Sequence, residues 1–251
     1  MNYWSRKDEL RVKAQKHTEE MQDAYDAEIQ SAVRDSIIYG EGARYPEKKN
    51  SDSAPIFYFL NTDSVTALLM SQEESAAVLN FASYKNPGGK FIEGSSAQEE
   101  SLCHASFLYN VLREFPGYYE WNAKHKNRAL YENRAIYTPN VLFEKDGKSR
   151  FCDVITCAAP NKGAAQKYNR VSDDENRHEL FERVVFVKDI AEENNIKTLI
   201  LGAFGCGVFR QNAEDVCEAI RTAFAKSTVK NIVVAVPGND HNAKIFRMSF
   251  L

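Results

Sequence analysis

"AAVLNFASYKNPGGKFIEGSSAQEES" (residues 76–101) joins an apolar run, a loop carrying the adjacent glycines Gly88 and Gly89, and a helix-like start at Gln98, Glu99 and Glu100. The apolar run is short and closes on turn residues, so it reads as a strand buried on both faces. Four more such runs occur: "IFYFL" (56–60), "VITCAA" (154–159), "TLILGAF" (198–204) and "NIVVAVP" (231–237). Between them, segments 63–76, 97–115, 173–195 and 212–228 carry helical spacing and open on acidic residues or Asn, which complement the helix dipole. Strand alternating with helix predicts an α/β fold, a mostly parallel sheet with helices on both faces.

Outward from this core, residues 3–38 hold no Pro or Gly and predict one or two amphipathic helices. Residues 39–55 collect Gly, Pro, Ser and Asp and read as a loop, and 116–150 as an additional hairpin or long loop. The chain has 251 residues, 43% of them apolar, enough for a substantial core. Lys and Arg (32) nearly balance Asp and Glu (35), so no summed positive field is available to hold a nucleic-acid backbone. The five cysteines form no CxxC pair, which argues against a disulfide framework or structural zinc and for a reducing compartment. With no apolar leader and no stretch long enough to span a bilayer, a cytoplasmic protein is expected.

Open parallel sheets bind ligands beyond the carboxyl ends of their strands. Two Gly-rich loops fall there, residues 86–100 and "GAFGCGVFRQN" (202–212). In the second, Gly205 and Gly207 bracket Cys206, and Val208 and Phe209 precede a helix start near Asn212. Its amides can wrap a diphosphate while Phe209 contacts a sugar or base. Either loop alone also suits a tight turn; two at one edge favour a phosphate-containing ligand. Neither contains the GKS or GKT of a nucleotide-hydrolysing loop. At the first loop the amide field favours a carboxylate at one of Glu99 and Glu100, while crowding raises the proton affinity of the other. Cleavage of a ribosyl bond needs such a pair, although two glutamates at a helix start can also serve the dipole alone. A second Gln-Glu-Glu, "QEES" at 72–75, has no glycine loop before it and is assigned to a solvated face.

Together, "VLNFASYKNPGGK…AQEESL" and "GAFGCGVFRQNA" resemble the bacterial-type poly(ADP-ribose) glycohydrolases, a macrodomain branch whose signature is three glycines, a short spacer and QEE. The resemblance covers roughly residues 35–245. It implies a macrodomain-like three-layer α/β/α fold with a mixed, largely parallel sheet: an N-terminal helical extension over 1–40 and a catalytic domain over 41–251. It implies Glu100 as catalytic acid, with Glu99 and the region of Asn80 and Asn86 holding the ribose. Gly88, Gly89 and Gln98 would contact the ligand, and Gly205, Cys206, Gly207, Val208 and Phe209 would embrace the diphosphate. The implied reaction is hydrolysis of ribose–ribose O-glycosidic bonds with release of ADP-ribose. Removal of single ADP-ribose units from acceptors and a non-catalytic ADP-ribose-binding module are the alternatives. The implied partners are ADP-ribose and poly(ADP-ribose) or ADP-ribosylated proteins, with no membrane, no sequence-specific nucleic acid, no cofactor and no metal; a monomer is expected.

The third glycine of that signature is Lys90 here. Its Cβ resists positive φ, so either this position has ordinary dihedrals or the loop takes a different path, and its ammonium can approach phosphates or a catalytic carboxylate. Cys103 and His104 are adjacent on a helix and diverge, so they are not read as a catalytic pair. His241, Arg210 and Lys162 are read as surface residues, and Tyr118, Tyr119 and Trp121 as packing or adenine-stacking groups. Asp63 stands where macrodomains often place an adenine-contacting aspartate.

Overall fold

The computed structural model describes residues 3–49, 51–71 and 75–251, so the second Gln-Glu-Glu, Gln72–Glu74, lies outside the described residues. The helices are α1 (Tyr3–Asp35), α2 (Ser64–Met70), α3 (Gln98–His104), α4 (Leu108–Leu112), α5 (Pro116–Lys124), α6 (Lys162–Asn169), α7 (Asp173–Glu193), α8 (Ala213–Ala223) and α9 (His241–Phe250). The strands are β1 (Ile37–Gly40), β2 (Ile56–Leu60), β3 (Ala76–Phe81), β4 (Arg134–Lys145), β5 (Lys148–Cys157), β6 (Thr198–Leu201) and β7 (Asn231–Ala235). They form one seven-stranded sheet in the order β1-β4-β5-β3-β6-β7-β2. Only β4 runs against the others, through antiparallel pairs with β1 and β5.

Side-chain alternation builds the three layers. Ala77 and Leu79 of β3, Leu199 and Leu201 of β6, and Ile232 and Val234 of β7 face the core shared with α7, α8 and α9. Val78, Ile200 and Val233 face the other way, onto the core shared with α1 to α5. Both faces are thus covered, which is why these strands read as unbroken apolar runs.

Helix α1 carries one non-helical residue, Tyr25 (φ −132°), and lays Ala14, Met21, Ile29 and Ala32 into the second core. The sheet takes its first strand, β1, from the segment assigned above to the helical extension. Residues 97–115 form two helices rather than one. Ser106 accepts from the Leu108 N–H (3.1 Å), and the Ala105 carbonyl accepts from Glu144 N–H on β4 (2.7 Å), so the helical ladder breaks between them. Residues 116–150 supply α5 and the β4–β5 hairpin, turned at Asp146 (φ +52°) and Gly147 (φ +73°).

Candidate active site

The loops after β2, β3, β6 and β7 enclose a cleft of about 540 Å³ at the carboxyl edge of the sheet, where the chain leaves β3 toward one side and returns at β6 on the other. Phe81 and Phe204, with ring centroids 5.6 Å apart, and the Val236–Pro237 segment supply its apolar walls.

The glycine loop is shaped by its neighbours. Gly88 and Gly89 both have φ of +63°. A Cβ at Gly88 would lie 2.7 Å from Tyr109 Cδ2; one at Gly89 would lie 2.7 Å from Glu100 Oε1 and 2.9 Å from Glu99 Oε2. Glycine is therefore required twice, for conformation and for closeness to the two carboxyls. Lys90 has ordinary dihedrals (φ −118°, ψ 33°), so the lysine needs no altered loop path. Its N–H donates to Glu100 Oε1 (2.9 Å), and the Ala97 N–H donates to Glu100 Oε2 (3.0 Å), tying the acid between loop and helix start.

Glu99 lies deeper, 4% exposed. The Ser83 N–H donates to its Oε2 (2.6 Å) and Asn80 Nδ2 to its Oε1 (3.3 Å). Burial pushes its carboxyl from 4.5 up to about 8; Glu100 adds to the rise, while the Ser83, Asn80 and Gly88 donors oppose it. Asn80 is buried, donates also to Thr156 Oγ1 (3.3 Å), and among the described residues its Oδ1 has no partner. Gln98 accepts from the Phe81 N–H (2.9 Å) and donates to the Leu79 carbonyl (2.9 Å) and Ser64 Oγ (3.2 Å). Its amide thereby clamps the start of α3 to the end of β3 and fixes where the following glutamates emerge.

Across the cleft, Gly205 has φ of +76°, and a Cβ there would lie 2.7 Å from Ala159 Cβ and 2.8 Å from Gln211 Cγ. Gly207 and Val208 are open to the cleft, and a Cβ at Gly207 would meet nothing within 4 Å. Two rings back this wall: Phe209 meets Tyr131 edge-on at 5.9 Å, and Tyr131 stacks on Tyr84 at 4.1 Å.

The sequence matches the family described as microbial-type PARG, catalytic domain, over residues 8–146. The chain belongs to the microbial-type PARG catalytic-domain family. Among solved structures, it resembles the poly(ADP-ribose) glycohydrolase (PARG) of Thermomonospora curvata at 24% identity and a TM-score of 0.85, over 97% of this chain and 100% of that one. It also resembles the Deinococcus radiodurans PARG in complex with ADP-ribose at 27% identity and a TM-score of 0.77, over 88% of this chain and 96% of that one. No curated protein matches.

In this PARG-family cleft Glu99, Glu100, Gln98, Gly89, Asn86, Gly205, Gly207, Val208 and Phe209 all stand on the lining. Gly88, Asn80 and Cys206 do not; Gly88 and Asn80 support the carboxyls from behind, and the Cys206 thiol, pushed up to about 12 by burial, turns toward the sheet core. Asp63 lines the far end and caps α2 by accepting from the Thr66 N–H (3.0 Å); burial opposes its ionisation, but Lys145 (2.8 Å) and Thr66 outweigh that and lower its pKa. Lys162 is not a surface charge: it is buried and paired with Asp173 (2.8 Å). Tyr118 and Tyr119 are core residues, and Trp121 stacks on His125 (3.8 Å), all away from the cleft. Sequence reasoning missed Ser83, whose contribution is a backbone amide, and Phe81, Phe204 and Pro237. Those three stand in view at strand ends, and only their convergence is hidden.

Among the described residues, no helix is long and apolar enough to cross a membrane, and no group of three His, Cys, Asp or Glu side chains is placed to hold a metal ion.

Proposed function

We propose that the cleft hydrolyses ribose–ribose O-glycosidic bonds of poly(ADP-ribose) and releases ADP-ribose, with Glu100 as catalytic acid and Glu99 as its partner on the ribose. The observation that carries this reading is the convergence of two buried carboxyl groups on Gly89, at the wall of a cleft of about 540 Å³. Burial pushes the Glu99 carboxyl up to about 8, so before substrate binds Glu99 carries a proton near pH 7. Glu100 Oε1 and Glu99 Oε2 converge on the same side of Gly89, and a ribose hydroxyl bound between them passes that proton to Glu100. Glu100 then protonates the leaving ribose oxygen as the glycosidic C–O bond breaks toward it. Water adds to the oxocarbenium-like carbon, and its proton returns to Glu100. The amides of residues 205–209 hold the diphosphate and place the scissile bond.

All five cysteines are unpaired, which supports a cytoplasmic location. We also assign α1 to the catalytic unit as its N-terminal layer.

The test is release of ADP-ribose from poly(ADP-ribose) and, in parallel, from mono-ADP-ribosylated protein, by the intact chain and by Glu100→Gln. Polymer turnover that falls by about 10²-fold or more in the variant, with ADP-ribose binding retained, is the expected result. Undiminished turnover in Glu100→Gln removes that residue from the mechanism, and binding without any turnover makes the protein a reader.

A further inference from the structure

Among the described residues lining the cleft, Lys90 is the only lysine or arginine, whereas Asp63, Glu99 and Glu100 are acidic. Lys145 and Lys162 are paired, with Asp63 and Asp173, and the exposed Lys85 and Arg210 stand off the lining. The Lys90 ammonium has no hydrogen bond or ion pair among the described residues.

Its backbone is fixed. The Lys90 N–H donates to Glu100 (2.9 Å), its carbonyl accepts from the Glu93 and Ser95 N–H groups (both 3.1 Å), and the next residue, Phe91, is fully buried against His104 and Tyr109. An exposed, unpaired cation is thus presented from a rigid turn, one hydrogen bond away from the acid. It lines the same cleft as Gly205, Gly207, Val208 and Phe209, the loop whose amides, in the reading proposed above, take the diphosphate of the unit being released.

We infer that Lys90 is the electrostatic contact for the diphosphate of the leaving unit, a subsite that separates polymer from free ADP-ribose. The inference rests on the reading that Glu100 faces the leaving oxygen. Every unit of the polymer carries its own diphosphate, so the unit on that side brings two phosphates next to Glu100. An unpaired ammonium there offsets the repulsion that the carboxyl pair and a chain of net charge −3 would otherwise exert.

Binding in the Glu100→Gln background, with Glu100→Ala as a second inactive background, tests this without requiring turnover. The ligands are defined-length poly(ADP-ribose) and free ADP-ribose, at about 50 and 200 mM salt. Lys90→Ala is expected to weaken polymer binding about fivefold, to flatten the slope of log K against log salt by about 0.7, and to leave free ADP-ribose binding where it was. Lys90→Arg is expected to restore both. Equal loss for the two ligands, or no change for polymer, overturns the inference. Failure of the wild-type chain to release ADP-ribose is read separately and counts against the proposed hydrolysis, not against this contact.

Discussion

Gly89 and Gly207 look alike in sequence and differ in what surrounds them. At Gly89 the positive φ and the two carboxyl oxygens leave no room for a methyl group. Gly89→Ala is expected to cost about 1–2 kcal/mol of backbone strain and to displace Glu99 and Glu100, lowering kcat by at least tenfold in a polymer-release assay. Gly207→Ala meets open space at an ordinary φ, and its melting temperature should match wild type. Glu99 makes a pH prediction. Its folded pKa is about 8 against an ordinary 4.5, so between those values the folded protein keeps a proton that the unfolded chain has lost. Its contribution to stability is complete below about pH 4.5, falls as pH rises, and is gone above about 8. Calorimetry at about pH 5, 7 and 9 should therefore show the melting temperature of Glu99→Gln gaining on wild type as pH rises. Parallel curves would refute the assignment.

At the scale of elements, α1 matters because it carries the acid loop. Gly94 closes the turn that Lys90 opens, has φ of +83°, and packs so closely on α1 that a Cβ would lie 2.2 Å from the Lys7 carbonyl oxygen. Gly94→Ala must push α1 and the turn apart. About 1–3 kcal/mol of destabilisation is expected, several degrees in melting temperature for a chain of this size, together with a loss of kcat. Gly147→Ala serves as the control: its φ is also positive, but its Cβ meets nothing within 4 Å, so strain should appear without loss of kcat. The break between α3 and α4 belongs to the same scale. Helical spacing runs through 97–115 unbroken, and the strand that interrupts it lies about forty residues further along the chain.

At the scale of the molecule, one side chain links parts that the sequence keeps apart. Arg183 of α7 is fully buried and donates to Asn133 Oδ1 (2.5 Å), the Leu130 (3.4 Å) and Tyr131 (3.1 Å) carbonyls and the Ala158 carbonyl. It thereby holds the loop before β4 against the end of β5 and sets the Tyr131 ring behind Phe209. Arg183→Leu strands these acceptors and should cost about 3 kcal/mol or more in urea unfolding, with a rise in KM because the Phe209 wall loosens.

The sequence by itself determined the strand–helix alternation, the doubly covered sheet and the two glycine loops at its carboxyl edge, because periodicity and glycine conformation are local properties. It also carried the Gln98–Glu100 motif and its family. Only the tertiary structure decided that burial raises the Glu99 pKa, that Lys90 sits at an ordinary φ and alone supplies positive charge to the described lining of the cleft, that Lys162 is buried and paired with the exposed Asp173, and that Cys206 faces the core. Each of these depends on burial and on partners remote in the chain, and neither is encoded in the spacing of the residues themselves.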